Sequence, residues 1–245
     1  LQILDVPYVG PDVLGSSIAM DKDIAKIQLA AAGINVAKGV VLTSVIQGNF
    51  KQIKASLGLP IFVKPANMGS SVGVHKVTNE DEFEKALKDA FQYDSKIVVE
   101  EMINGRELEC AVLGLRDNLQ VTMPGEVKAE EEYSFDEKYS ESSQTQLDIP
   151  AKNLTETQIT SLKKTAVTAF KALNCEILSR VDMFLTDEGK IYVNEINTLP
   201  GFTSISMYPQ LWEKEGLSYS DLISQLLELA VQRHTRIKGL KKSRL

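Results

Sequence analysis

Long apolar runs are missing from this 245-residue chain. No stretch reaches the roughly 18 apolar residues that a membrane-spanning helix requires, and a signal peptide is not expected. Cysteine is scarce. Cys110 and Cys175 stand apart, with no CxxC spacing and no Cys/His cluster. That excludes a disulfide scaffold and a zinc cluster, and both thiols are expected to be buried and free, as in a reducing cytoplasm. His75 and His234 are isolated, so neither marks a zinc site. An excess of positive charge is lacking too. Lysine plus arginine total 27 against 33 acidic residues, a net charge of −6. That disfavours nucleic acid or an anionic membrane as partner. A polyanion can still be held if lysines gather at one place. Neither an internal repeat nor a low-complexity tract is present. The chain opens at Leu1 without methionine and reads as the middle of something longer, so an N-terminal domain is expected to be missing and residues 1–16 to be its linker.

What is present is 43% hydrophobic and 24% charged, enough to bury the core of one large domain or two small lobes. Residues 17–32 read as a helix with Ile24, Ile27 and Ala31 on its apolar face and Gly33 as its stop. Strands are expected at 39–43, 60–64 and 72–77. Thr78 to Asp81 reads as a capping box before a helix with Phe83, Ala86, Leu87 and Ala90 inward. Further strands follow at 96–100, 106–115 and 119–127, the last interrupted by Pro124-Gly125. Residues 128–143 are polar and acid-rich, with Tyr133, Phe135 and Tyr139, and suit a lid over a site. Thr155-x-x-Gln158 opens a helix through Leu173, and Ser218-x-x-Asp221 opens another through about Arg233. Residues 238–245 form a basic tail. This mixture predicts an α+β chain of two lobes with a cleft between them, where ligands usually bind.

Chemistry is concentrated in a few segments. Arg180-Val-Asp182-Met-Phe-Leu185 and Ile191-Tyr-Val-Asn-Glu195-Ile-Asn197 read as two strands of a hairpin. With Glu188 and Gly189 as a two-residue loop, Asp182 falls opposite Glu195 and Arg180 opposite Asn197, all on one face. Two carboxylates and an amide oxygen make a site for a hard cation such as Mg²⁺, which would relieve the repulsion of facing acids. The plain alternative is a solvent-facing hairpin. Lys64 ends an apolar strand, where a lysine has no packing reason to be, and suits a phosphate as a point charge. The following Gly69-Ser-Ser-Val-Gly73 can turn N–H groups and hydroxyls toward anionic oxygens, though it lacks the Gly-Lys-Ser/Thr of a Walker loop. A simple turn is the alternative there. Lys22 alone reads as a solvated helix lysine. Glu100-Glu101-Met102-Ile103 could offer its backbone to an adenine edge at a crossover, and Glu107 could accept ribose hydroxyls. Lys138 and Tyr139 lie in the expected lid, from which a lysine reaches phosphates only on closure.

Together these segments resemble the D-alanine–D-alanine ligases of the ATP-grasp superfamily. The resemblance rests on Pro7-Tyr-Val-Gly10, Ala19-Met-Asp-Lys22, Phe62-Val-Lys-Pro65, Gly69-Ser-Ser-Val-Gly-Val74, Gly105-Arg-Glu107, Gly125-Glu126, Lys138-Tyr139, Arg180-Val-Asp182 and Asn194-Glu-Ile-Asn-Thr-Leu-Pro-Gly-Phe-Thr203, in order from about residue 1 to 235. It implies an ATP-grasp fold, with a small lobe at 17–103, a large lobe at 104–237 carrying the lid, and the nucleotide between them. It implies ATP contacts at Lys22, Lys64, Ser70, Ser71, Glu100, Glu101, Ile103, Glu107 and Lys138. It implies Mg²⁺, with Mn²⁺ as a substitute, on Asp182, Glu195 and Asn197. Arg180 and the Gly201 N–H would hold the substrate carboxylate and the oxyanion, Ser70 would act in the closing loop, and Tyr139 and Ser206 would line the second amino-acid site. The implied partners are two D-alanines, ligated in the cytoplasm for peptidoglycan synthesis by a homodimeric full-length protein. One departure is Glu101, where relatives are often basic or neutral, so only its backbone contact carries over. The other is the missing N-terminal domain, which would impair ligation by this chain alone. A sibling ligase making D-alanyl-D-lactate or D-alanyl-D-serine, and a non-catalytic nucleotide-binding module, are the alternatives.

Overall fold

The computed structural model describes residues 1–116, 118–128 and 146–241. Among these residues the strands form two antiparallel sheets. The smaller has the order β1–β4–β2–β3, from Gly39–Leu42 (β1), Ile61–Pro65 (β2), His75–Val77 (β3) and Ile97–Glu101 (β4). The larger comprises Arg106–Leu115 (β5), Asn118–Val121 (β6), Gly125–Lys128 (β7), Gln146–Asp148 (β8), Ile177–Leu185 (β9) and Ile191–Asn197 (β10). Its order is β10–β9–β5–β7–β8, with β6 also pairing β5.

Alternation decides which side of each sheet is apolar. In the smaller sheet Ile61, Val63, Ile97 and Val99 turn to one side and pack on the helices Phe50–Leu57 (α3) and Glu80–Ala90 (α4), against Phe50, Ile53, Phe83 and Leu87. Phe62, Lys64 and Glu100 therefore turn to the other side. In the larger sheet Leu108, Cys110 and Val112 of β5 pack under the helix Glu156–Ala172 (α5), on Leu162, Ala166 and Phe170. The other face of β5 divides. Ala111 and Leu113 are covered by Met207–Lys214 (α6) and Tyr219–Lys238 (α7). Glu107 and Glu109 lie nearer the start of the strand on that same face.

Several expectations are corrected. Residues 17–32 are not one helix but two, Val13–Met20 (α1) and Lys22–Ala31 (α2), broken at Asp21, whose side chain caps α2 through the N–H groups of Asp23 and Ile24. Ile24, Ile27 and Ala31 face outward. The buried residues of α2 are Ala25, Lys26 and Leu29, and Ala25 and Leu29 join the core beneath α5. The cap before α4 lies one residue later than Thr78–Asp81: Asn79 accepts from the Glu82 N–H, and Glu82 reaches back to the Thr78 N–H and hydroxyl. The strand expected over 72–77 shortens to β3, because the N–H groups of Val72 and Val74 close turns on Gly69 and Ser71. The Thr155–Gln158 capping box is present as read. The last helix runs on to Lys238, and α3 and α6 went unforeseen. Of the expected lid, 129–143 lies outside the described residues. Cys110 and Cys175 are free and buried, and burial pushes both thiols up to about 12. No helix among the described residues is long and apolar enough to cross a membrane.

Candidate active site

Between the uncovered face of the larger sheet and the smaller sheet lies a cleft of about 1120 Å³. Its walls carry Lys22, Lys64, Ser70, Ser71, Glu100, Glu101, Ile103, Glu107, Arg180, Asp182, Glu195, Asn197, Gly201 and Ser206. Those are the residues singled out from the sequence, save Lys138 and Tyr139, which lie outside the described residues.

The hairpin pairs Asp182 with Glu195 and Arg180 with Asn197. The expected two-residue loop is corrected, however. The chain turns through three residues, Asp187–Gly189, closed by Thr186 and Lys190, with Gly189 at φ 78°. That loop alone would offset the register by one. Asn194 compensates as a bulge between Val193 and Glu195. Val193 can thus point into the core while Glu195, two residues on, points into the cleft. Asn197 Nδ2 donates to Asp182 Oδ2 at 2.9 Å and to Glu195 Oε1 at 3.3 Å, so the three side chains converge. Arg180 grips Asp182 with Nε and Nη2, each at 2.7 Å. Burial works against the guanidinium's charge, but Asp182 and then Glu109 outweigh it and hold Arg180 protonated.

The opposite wall is cationic. Lys22 begins α2. Its N–H bonds the Ala66 carbonyl at 3.0 Å, and its ammonium donates to the Met68 carbonyl at 2.5 Å. Lys96 clamps the start of the helix through Asp21 at 2.6 Å and Asp23 at 3.2 Å. Lys64 Nζ lies 3.0 Å from Glu100 Oε2. Ser70 and Ser71 sit at φ 54° and 60°, the left-handed region that side chains avoid. Such strain persists where surroundings impose it and clusters at ligand-binding loops. Gly73, at φ 67°, has no room for a Cβ, which would meet Tyr93 at 2.8 Å and Pro65 at 2.9 Å. The crossover is fixed by Glu101, whose N–H bonds the Lys38 carbonyl and whose carboxylate takes the Lys38 N–H at 2.8 Å.

Two residues escaped the sequence reading. Glu109 stands in register with Asp182 on β5, completing a row Glu109–Asp182–Glu195, and its Oε2 lies 3.0 Å from Arg180 Nε. Burial, then Asp182, raise its carboxyl well above the usual range, with Arg180 opposing. The available signal was an acid alternating with Leu108 and Cys110 in an apolar strand. Lys26 is buried and 2.8 Å from Glu100 Oε1. Its signal was the i,i+4 spacing from Lys22. Glu100, expected at an adenine, thus holds a lysine on each oxygen.

A family described as "D-ala D-ala ligase C-terminus" matches residues 27–228. The D-alanine–D-alanine ligase of Oceanobacillus iheyensis is 55% identical over 100% of this chain and 67% of its own length. The chain belongs to the D-alanine–D-alanine ligase family. Its α+β fold matches solved ligases of that family. The Bacillus anthracis D-alanine–D-alanine ligase complexed with ATP superposes with a TM-score of 0.83 at 30% identity, over 97% of this chain and 74% of that one. The VanG D-Ala:D-Ser ligase of Enterococcus faecalis gives 0.83 at 38% identity, over 94% and 66%. The chain spans about two thirds of the length of the curated family members it matches.

Proposed function

We propose that this chain carries the nucleotide site and catalytic carboxylates of an ATP-dependent D-alanine–D-alanine ligase, which joins two D-alanines through an acyl phosphate for peptidoglycan precursors. One observation carries the reading: Lys22 and Lys64 stand on one wall of the cleft, and Asp182, Glu195 and Asn197 converge on the other. Cations suit phosphates as point charges, and oxygen donors suit a hard cation that bridges to them. The ATP named with the Bacillus anthracis ligase supports the same use of this cleft.

Residues 17–34, expected in a small lobe of 17–103, pack instead on the core of the larger sheet. ATP would lie between the smaller sheet with α3 and α4 and the large lobe, 104–237. Its adenine would read the backbone from Glu101 to Ile103, its ribose would bond Glu107, and Lys22, Lys64, Ser70 and Ser71 would face its phosphates. Lys138 would join them from the lid. The donor set fits Mg²⁺, or Mn²⁺ in its place. Among the described residues no three His, Cys, Asp or Glu side chains gather as a metal-holding group, so the set is two carboxylates and an amide. Asn197 already reaches both acids through Nδ2, and an amide flip presents Oδ1 at the same place. When bound, such an ion supplies Lewis-acid neutralisation of phosphate charge.

The first D-alanine carboxylate attacks the γ-phosphorus and ADP leaves. Lys64 and Lys138 spread the developing charge. The second D-alanine amine then attacks the acyl carbon, losing a proton as phosphate departs. Arg180 and the Gly201 N–H receive the oxyanion, Ser70 helps close the phosphate loop, and Ser206 and Tyr139 border the second amino acid. The buried free thiols suit a reducing cytoplasm, and the whole enzyme is read as a homodimer.

The experiment is to supply the full-length protein with ATP, Mg²⁺ and D-alanine and measure ADP and dipeptide. Nucleotide binding without ADP release would leave a binding module instead. The likeness to a D-Ala:D-Ser ligase makes the second substrate a separate question. Competition among D-alanine, D-serine and D-lactate answers it, and preferential ester or D-alanyl-D-serine formation would defeat the dipeptide reading.

A further inference from the structure

We propose that Lys26 is a positioning residue that keeps Lys64 available to phosphate by neutralising Glu100 from behind. The inference rests on the nucleotide reading of the cleft. Lys26 is 9% exposed and Glu100 2%. Lys26 does not line the cleft, whereas Lys22, one helical turn earlier, does. Its ammonium lies 2.8 Å from Glu100 Oε1 and has no other partner among the described residues. A buried ammonium with one ion-pair partner is there for that partner. Glu100 in turn reaches Lys64 at 3.0 Å through its other oxygen. The chain Lys26–Glu100–Lys64 therefore runs from α2 through β4 to β2.

Charge decides the consequence. Lys22, Lys26 and Lys64 supply three positive charges and Glu100 one negative, leaving +2 beside the phosphate loop. Without Lys26, Glu100 and Lys64 cancel, and only Lys22 remains uncompensated. Burial keeps salt from screening the difference. The loss should track phosphate charge and spare the nucleoside.

The test titrates the chain calorimetrically with ADP and with adenosine, and reads the ratio of the two affinities. Lys26→Met should lower that ratio about tenfold, the size of one lost charge-assisted contact. Lys26→Arg should recover most of it. Because Lys26→Met strands Glu100 with one cation, the double variant Lys26→Met/Glu100→Gln guards against misfolding. It removes both charges and should restore the ratio. A ratio unchanged in Lys26→Met, or still low in the double variant, would overturn the proposal while leaving the nucleotide reading intact. Failure of the unsubstituted chain to bind ADP would remove that reading and this one together.

Discussion

Asp182 and Glu195 face each other across β9 and β10 because Asn194 is bulged out between Val193 and Glu195. A three-residue loop and a one-residue bulge offset each other, and the two carboxylates arrive in register. Facing acids repel. Here Arg180 and the Asn197 amide moderate that repulsion on Asp182. Asp182 is 3% exposed, so water screens it little.

Glu195→Gln should therefore separate catalysis from folding. It relieves a like-charge pair, so the melting temperature should stay level or rise slightly. Mg²⁺-dependent turnover should fall at least about a hundredfold, the scale for losing one preorganised electrostatic group. Steady-state kinetics beside thermal melting checks both. Unchanged kinetics with a lower melting temperature would show a structural acid.

Glu100 makes a prediction about acid. Burial alone would raise its carboxyl, but Lys64 and then Lys26 outweigh burial and bring it down from 4.5 to about 2. A carboxyl lowered on folding stabilises the protein fully above its unfolded value. That contribution is lost as pH falls from about 4.5 toward 2, and it amounts to roughly 3 kcal/mol. Urea unfolding between pH 7 and pH 2.5 should show that loss. In Glu100→Gln the same stretch should be flatter. That variant should also be about 3–5 kcal/mol less stable at neutral pH, since it leaves Lys26 and Lys64 buried without their counter-charge.

How far the sequence could be read depended on whether a residue's environment was local. Lys64 was legible because a lysine alternating with Ile61 and Val63 must leave the apolar side. Arg180, Asp182, Glu195 and Asn197 were legible by the same alternation, although the turn assigned to them was wrong and the bulge corrected it. The helix break at Asp21 was not legible. Asp21 is a preferred N-cap and caps α2 locally, but an aspartate between two helical runs does not by itself show a break, and distant groups complete it: Ala66 takes the Lys22 N–H, and Lys96 grips Asp21 and Asp23. The orientation of α2 failed for the same reason. Ile24 and Ile27 look like a core face, yet Lys26 is buried instead because Glu100, 74 positions away, receives it. Glu109 carries no local mark beyond alternation, and its partner Arg180 lies on another strand.

Two glycines should respond differently to alanine. A Cβ at Gly105 would meet the Leu185 carbonyl oxygen at 2.6 Å and its carbon at 2.8 Å, both backbone. Backbone cannot step aside cheaply, so Gly105→Ala should cost about 1–3 kcal/mol. A Cβ at Gly201 would meet the side chain of Ser206, its hydroxyl at 2.9 Å and its Cβ at 3.5 Å. Ser206 can rotate, but its oxygen accepts from the Thr203 N–H at 3.0 Å and pairs with the Thr203 hydroxyl at 2.9 Å. Gly201→Ala should melt within a few degrees of the parent yet lose turnover, because the loop bordering the cleft must re-form those bonds. Melting curves and dipeptide assays on both variants check the contrast.

Asn197→Asp gives the sharpest reading of the metal wall. Asn197 now donates to both Asp182 and Glu195. An aspartate would remove both hydrogen bonds and add a carboxylate beside the row Glu109–Asp182–Glu195, where Arg180 already pairs with Glu109 and Asp182. Without divalent ion the variant should melt several degrees lower, as expected for a loss of about 1–2 kcal/mol. A bound divalent cation would neutralise the added charge, and anything that binds only the folded state raises its stability. Mg²⁺ should therefore raise the melting temperature of Asn197→Asp more than that of the parent. Equal shifts in the two proteins would mean that no ion sits among these three side chains.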